Sequence, residues 1–98
     1  MLGLATKAGK IVFGTEATIE AIAKHKVKFV LVATDASEKT KKKITLQAQK
    51  QGIQVHAIAT IEEMSKAIGK QNKAIVGITD IHFAQAMEKN SNGGDVIG

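Results

Sequence analysis

The sequence predicts an α/β fold, a three-layer α-β-α sandwich with a central mixed sheet of about four strands. Three observations predict it. Apolar runs and amphipathic stretches alternate strictly along the chain, with short connections between them. Two of the runs, Phe29–Thr34 (FVLVAT) and Ala74–Thr79 (AIVGIT), are almost continuously apolar, as strands covered on both faces are. Helix-opening residues (Thr15, Ser37, Thr60, Asp80) and helix-ending glycines (Gly9, Gly52, Gly69) punctuate the alternation.

Taken in order, Leu2–Ala8 reads as a short helix stopped by Gly9, and Ile11–Phe13 as a short strand ended by Gly14. The next helix runs Thr15–Lys24, with Thr15 as its N-cap and Ile19, Ile22 and Ala23 on one face. After the basic connection His25–Lys28 comes the strand Phe29–Thr34, expected to be central. Asp35 or Ser37 caps a surface helix from about Glu38 to Gln51, whose narrow apolar stripe holds Ile44 and Ala48, and Gly52 ends it. Ile53–Ile58 (IQVHAI) alternates like a half-covered strand. Thr60 and Glu63 have the spacing of a capping box for the helix Ile61–Ile68, which Gly69 ends. The polar loop Lys70–Lys73 leads to the strand Ala74–Thr79. Asp80 then caps a last helix, about Ile81–Lys89, with Ile81, Ala84 and Met87 facing inward. Residues Asn90–Gly98 (NSNGGDVIG) read as a frayed tail or as a segment that crosses to a partner.

The 98 residues are expected to form one domain, 1–98, with enough length for a core without covalent staples. The chain has no cysteine, which excludes disulfides, a thiol nucleophile and a cysteine metal site, and suits a reducing cytoplasm. No apolar run approaches the roughly 20 residues that cross a bilayer, so no membrane partner is expected. The net charge is +5, and every basic residue is lysine. A basic balance favours polyanions through counterion release. Lysine is a point charge without arginine's bidentate fork, so a nucleic acid would be held by its backbone. The only aromatics are Phe13, Phe29 and Phe83, too few for a base-stacking platform.

No catalytic set, metal site or cofactor motif emerges. His25, His56 and His82 fall in a connection, a strand and a helix start, without metal-spaced partners. Asp35 and Asp80 follow buried strands, where an open sheet places ligands, yet each also serves as a helix cap. Gly3, Gly9 and Gly14 do not form a dinucleotide fingerprint. The run Lys39, Lys41, Lys42, Lys43 reads as a solvated helix start or as a phosphate-contacting surface. The stretch Lys7–Lys24 (KAGKIVFGTEATIEAIAK) organises the rest. A strand entering a helix through Gly14-Thr15 leaves backbone N–H groups at one edge, suited to a phosphate or a base edge, with Lys7 and Lys10 just upstream.

With these residues assembled, the chain resembles the kink-turn-binding ribosomal-protein superfamily, large-subunit proteins seven-Ae and thirty-e, and within it the bacterial seven-Ae-like proteins. The resemblance runs from Leu2 to about Glu88. Its carriers are LGLATKAGKIVFG, KFVLVATDASEKTKKKI and AIGKQNKAIVGITDIHFA, in that order. It implies an α-β-α sandwich, an RNA partner, and contact through the loop that opens the helix at Thr15. The family's pattern there is Gly, a variable residue, Asn, Glu, two residues, then Lys. Gly14 keeps the glycine, while Glu16, Ala17 and Glu20 stand at the Asn, Glu and Lys positions. A second loop, apolar in the family, corresponds to the polar Lys70-Gln71-Asn72. Ala17 cannot accept a hydrogen bond from guanine, and each lost base contact removes roughly 1–3 kcal/mol of discrimination.

The resemblance thus implies RNA contact by Gly14, Thr15, Glu16, Ala17, Glu20, Lys70, Gln71 and Asn72, inside a basic rim of Lys7, Lys10, Lys70 and Lys73. Two main readings stay open. One is a small non-catalytic protein binding ribosomal or other structured RNA. The other is a protein-interaction module, docked on a ribosomal or translation-factor protein, that has lost kink-turn binding. Glu16, Ala17 and Glu20 favour the second and the net charge favours the first. An α/β enzyme with a small-molecule substrate or cofactor is disfavoured.

Overall fold

The computed structural model describes residues 1–89. The tail expected over 90–98 lies outside the described residues. In chain order the elements are α1 (Leu2–Lys7), β1 (Ile11–Phe13), α2 (Thr15–Ala23), β2 (Phe29–Ala33), α3 (Glu38–Gln49), β3 (Val55–Ala59), α4 (Ile61–Ile68), β4 (Ile75–Ile78) and α5 (Ile81–Lys89). The four strands form one mixed sheet in the order β1-β4-β2-β3. Only β2 and β3 run parallel; β4 is antiparallel to both β1 and β2.

The two apolar runs take the two central places, and every residue of β2 and of β4 is buried. The edge strands β1 and β3 are half-covered. Phe29, Leu31, Ile75 and Ile78 are almost wholly inaccessible, joined by Leu2 of α1, Ile22 of α2, Ile44 of α3, Met64 of α4 and Met87 of α5. Each such large side chain contributes roughly 1.5–3 kcal/mol on leaving water.

At Gly77 in β4, side chains from β1, α2 and the connection before β2 crowd the backbone. A Cβ there would stand 2.9 Å from Val12 Cγ2, 3.1 Å from Thr18 Cγ2 and 3.2 Å from Val27 Cγ2. The bare backbone lets the buried Thr18 of α2 sit against the sheet.

Several expectations are corrected. Gly14, not Thr15, is the N-cap of α2, and Thr15 is its first helical residue. The buried face of α2 is Thr18, Ala21 and Ile22; Ala23 is exposed, because Ala21 rather than Ala23 continues the stripe toward β1 and β4. Ile81 is 47% exposed, because it borders an open groove with His25, Lys28 and Gln51. Helix α3 stops at Gln49, two residues early, and β3 begins at Val55, since the intervening turn passes through Gly52 with φ of 66°. The capping box on α4 is present as expected, with Glu63 N–H donating to Thr60 Oγ1 and Thr60 N–H to Glu63 Oε1.

Candidate nucleic-acid interface

The sheet has two ends. The one where β1, β2 and β3 finish and β4 begins gathers the loops that open α2, α3 and α4. Backbone bonds tie them together: Gly14 N–H donates to Ile75 O, Ala33 N–H to Ala74 O, and Thr34 N–H to Ala59 O. Gly14, Asp35, Thr60 and Lys70–Lys73 therefore share one end of the molecule.

The helix starts at this end are treated differently. Helix α3 is capped by Ser37, whose hydroxyl accepts from Thr40 N–H at 3.1 Å. Helix α4 carries its capping box, and Asp35 Oδ1 also accepts from Ile61 N–H at 2.8 Å. Helix α2 has no side-chain cap. The reason is local. Gly14 sits at φ 90°, ψ 153°, a conformation that a side-chain-bearing residue adopts only under strain, so no capping side chain can stand there cheaply. The first-turn N–H groups of α2 and the positive end of its dipole are thus left for an outside acceptor.

Beside this start lies Phe13, the last residue of β1. The ammonium groups of Lys70 and Lys73 each stand 5.4 Å from the centre of its ring. The loop carrying them is held from behind: Lys73 N–H donates to the buried Ser65 hydroxyl at 2.8 Å, and Asn72 takes φ of 55° to make the turn. Two cations are thus fixed next to an uncapped helix start. An open groove of about 670 Å³, lined by Asp35, Ile61, Ser65, Lys70 and Asn72 among others, continues this end toward α4.

The carboxylates near the α2 start are both occupied. Lys43 of α3 donates to Glu16 Oε1 at 2.7 Å, and Lys24 donates to Glu20 Oε1 at 2.9 Å. The hydrogen bond from Lys24, helped by its charge, holds the Glu20 carboxyl below the usual carboxylate range. Ala17 is exposed and offers only a methyl group.

Nine of the residues singled out in the sequence meet at this end: Gly14, Thr15, Glu16, Ala17 and, one turn along, Glu20 on α2, with Lys70, Gln71, Asn72 and Lys73 opposite. Lys7 and Lys10 do not join them. Thr79 N–H donates to Lys10 O, which fixes Lys10 at the other end of β1, where its charge acts on Asp80. Four residues of extended chain put about 13 Å between Lys10 and Gly14, and Lys7 ends α1 on the same far side.

Sequence reasoning missed Phe13 as the seat of the two lysines, Lys43 as the partner of Glu16, and Asp35 as an acceptor for α4 rather than for its own helix. The last two join residues 27 and 26 positions apart, beyond any local pattern. Among the described residues, no group of three or more His, Cys, Asp or Glu could hold a metal ion, and no helix is long and apolar enough to cross a membrane.

Comparison with known proteins now decides the family. The model of the Ribosomal protein L7Ae/L30e/S12e/Gadd45 family matches residues 1–88. The chain belongs to this family. The resemblance carried by the three sequence blocks is thereby borne out. The chain is 40% identical over 85 residues to a protein of Enterococcus faecium named RNA-binding protein YlxQ, covering 87% of this chain and 82% of that one. It is 32% identical over 87 residues to a Bacillus subtilis protein of the same name, covering 89% and 87%. A solved structure of a protein of unknown function from Bacillus halodurans superposes with a TM-score of 0.87 at 28% identity, over 90% of this chain and 89% of that one. That structure from Bacillus halodurans thus shares the fold described above.

Proposed function

We propose that this protein is a small non-catalytic RNA-binding protein that grips structured RNA at the sheet end formed by Gly14–Ala17 and Lys70–Lys73. The observation that carries the reading is the uncapped start of α2 beside two lysines seated on Phe13. The α2 amide N–H groups donate to a phosphate oxygen or a base-edge acceptor, and Lys70 and Lys73 neutralise neighbouring phosphates. The family and the relatives' names support RNA as the partner. Readout is by shape and backbone, because Ala17 cannot take a guanine contact and no arginine supplies a bidentate one. Kink-turn preference is accordingly weak, the RNA being ribosomal or of similar structure and the compartment the cytoplasm.

A second reading rests on Glu16 and Glu20, two carboxylates at the edge where RNA would sit. In it this end docks a ribosomal or translation-factor protein. A titration at near-physiological salt, comparing a kink-turn RNA with a straight duplex of equal length, separates the readings. Salt-sensitive binding with at most a modest kink preference is the expected result. Absence of binding to both RNAs favours the protein partner.

A further inference from the structure

We propose that the outer face of α3 is a second RNA-contact surface, taking the phosphate backbone of a duplex stem that adjoins the Gly14 end. This rests on the RNA-binding reading above and extends it to a surface some distance from the two loops.

Ile44 and Ala48 turn α3 toward the core. On the opposite side, Lys39, Lys43, Leu46 and Lys50 fall at i, i+4, i+7 and i+11, a single stripe, with Lys42 beside it. Lys39, Lys42, Lys43 and Lys50 are all exposed. At a rise of 1.5 Å per residue the stripe is about 16 Å long, enough to run beside several successive phosphates. Leu46, 59% exposed, is an isolated apolar residue among these cations.

The stripe is a poor choice for the helix itself. Cations in the first turns oppose the dipole, and Lys39 repels both Lys42 and Lys43 at i+3 and i+4. Relief is small. Lys41, on the flank, donates to Thr34 O and stands 3.7 Å from Glu38, and Lys43 is paired with Glu16. Lys39, Lys42 and Lys50 have no ion-pair partner among the described residues. A helix loaded against its own stability, with Lys39, Lys42 and Lys50 unpaired, complements an external polyanion.

Continuity selects RNA. Helices α2 and α3 both start at the proposed binding end and run away from it side by side, and the Lys43–Glu16 contact at 2.7 Å joins the stripe to the first turn of α2. A stem leaving the Gly14 end along this side meets Lys39 and Lys42 first and Lys50 last.

The test uses the full chain and two versions of one kink-turn RNA, with a short and a long flanking stem. The triple variant K39Q/K42Q/K50Q keeps helix-forming side chains and leaves Lys43 on Glu16. A control of equal charge change, K7Q/K10Q/K89Q, uses two lysines on the far side of β1 and one at the end of α5, all three residues being exposed. Wild type and control are expected to bind the long-stem RNA more tightly than the short. The α3 variant is expected to lose that gain, about tenfold, and to flatten the log–log salt dependence by about three units for three lost phosphate contacts. An α3 variant that binds both RNAs like wild type overturns this inference and leaves the loop-centred reading standing. Equal losses in the variant and the control overturn it in favour of net charge alone. Wild type that binds neither RNA overturns both readings. If the α3 substitutions instead weaken only an RNA-independent protein contact, the face belongs to a protein and the inference is wrong.

Discussion

Helices α2 and α4 start at the same end of the sheet, yet their first turns are built in opposite ways. At α4 every device is present: Thr60 and Glu63 cap each other's backbone, and Asp35 reaches across from the end of β2 to take the Ile61 amide. At α2 there is a glycine in a conformation other residues avoid, and no side-chain acceptor. A satisfied helix start serves the fold. An unsatisfied one with Lys70 and Lys73 beside it leaves donors and positive charge open to an outside acceptor. The capped start of α4 supplies an internal control for the uncapped start of α2.

The largest effect is expected from the two lysines that distinguish the α2 side. The double variant K70Q/K73Q should lose about tenfold or more in RNA affinity and about two units of salt slope, with little change in melting temperature. Filter binding across a salt series measures both. Gly14→Ala comes next. Nothing lies within 4 Å of a Cβ at Gly14, so any loss is backbone strain alone, about 1–3 kcal/mol by denaturant melts. No loss would mean that the α2 start tolerates other residues, and the contrast with α4 would weaken. Thr60→Ala should remove about 1 kcal/mol of stability by breaking the capping box, while leaving RNA affinity unchanged.

The smallest effect is a pH dependence at α5, a third way of opening a helix. Asp80 Oδ1 accepts from Phe83 N–H at 3.1 Å and from His82 N–H at 2.8 Å. The bond from Phe83, then that from His82, holds its carboxyl below the ordinary value of 3.8. A carboxyl depressed in the folded state stabilises above its unfolded value and loses that contribution as pH falls through the lower folded one. Wild type should therefore lose more stability between neutral pH and strong acid than Asp80→Asn, which still caps but does not titrate. Parallel thermal melts would show it.

How far the sequence could be read follows the same division. Both central strands were legible because a strand covered on two faces has no polar positions to confuse the pattern. The α4 capping box was legible because its partners lie three residues apart. The start of α2 reads from sequence as capped by Thr15, because nothing local shows that Gly14 holds the cap position in a conformation closed to side chains. Lys10 was misplaced because adjacency in sequence to Gly14 spans the full length of β1. Lys43 against Glu16 and Lys70 with Lys73 over Phe13 needed the tertiary fold, which brings together residues from separate elements.

On the proposed reading, RNA engages the open amides of α2 and not the capped amides of α4. Amide chemical shifts of the labelled protein, followed by NMR as a kink-turn RNA is added, test it most directly. The predicted result is that Gly14, Thr15, Glu16 and Ala17 move with Lys70–Lys73, while Glu62 and Glu63 stay in place. Movement confined to the first turn of α4, or binding without movement at Gly14–Ala17, would contradict it.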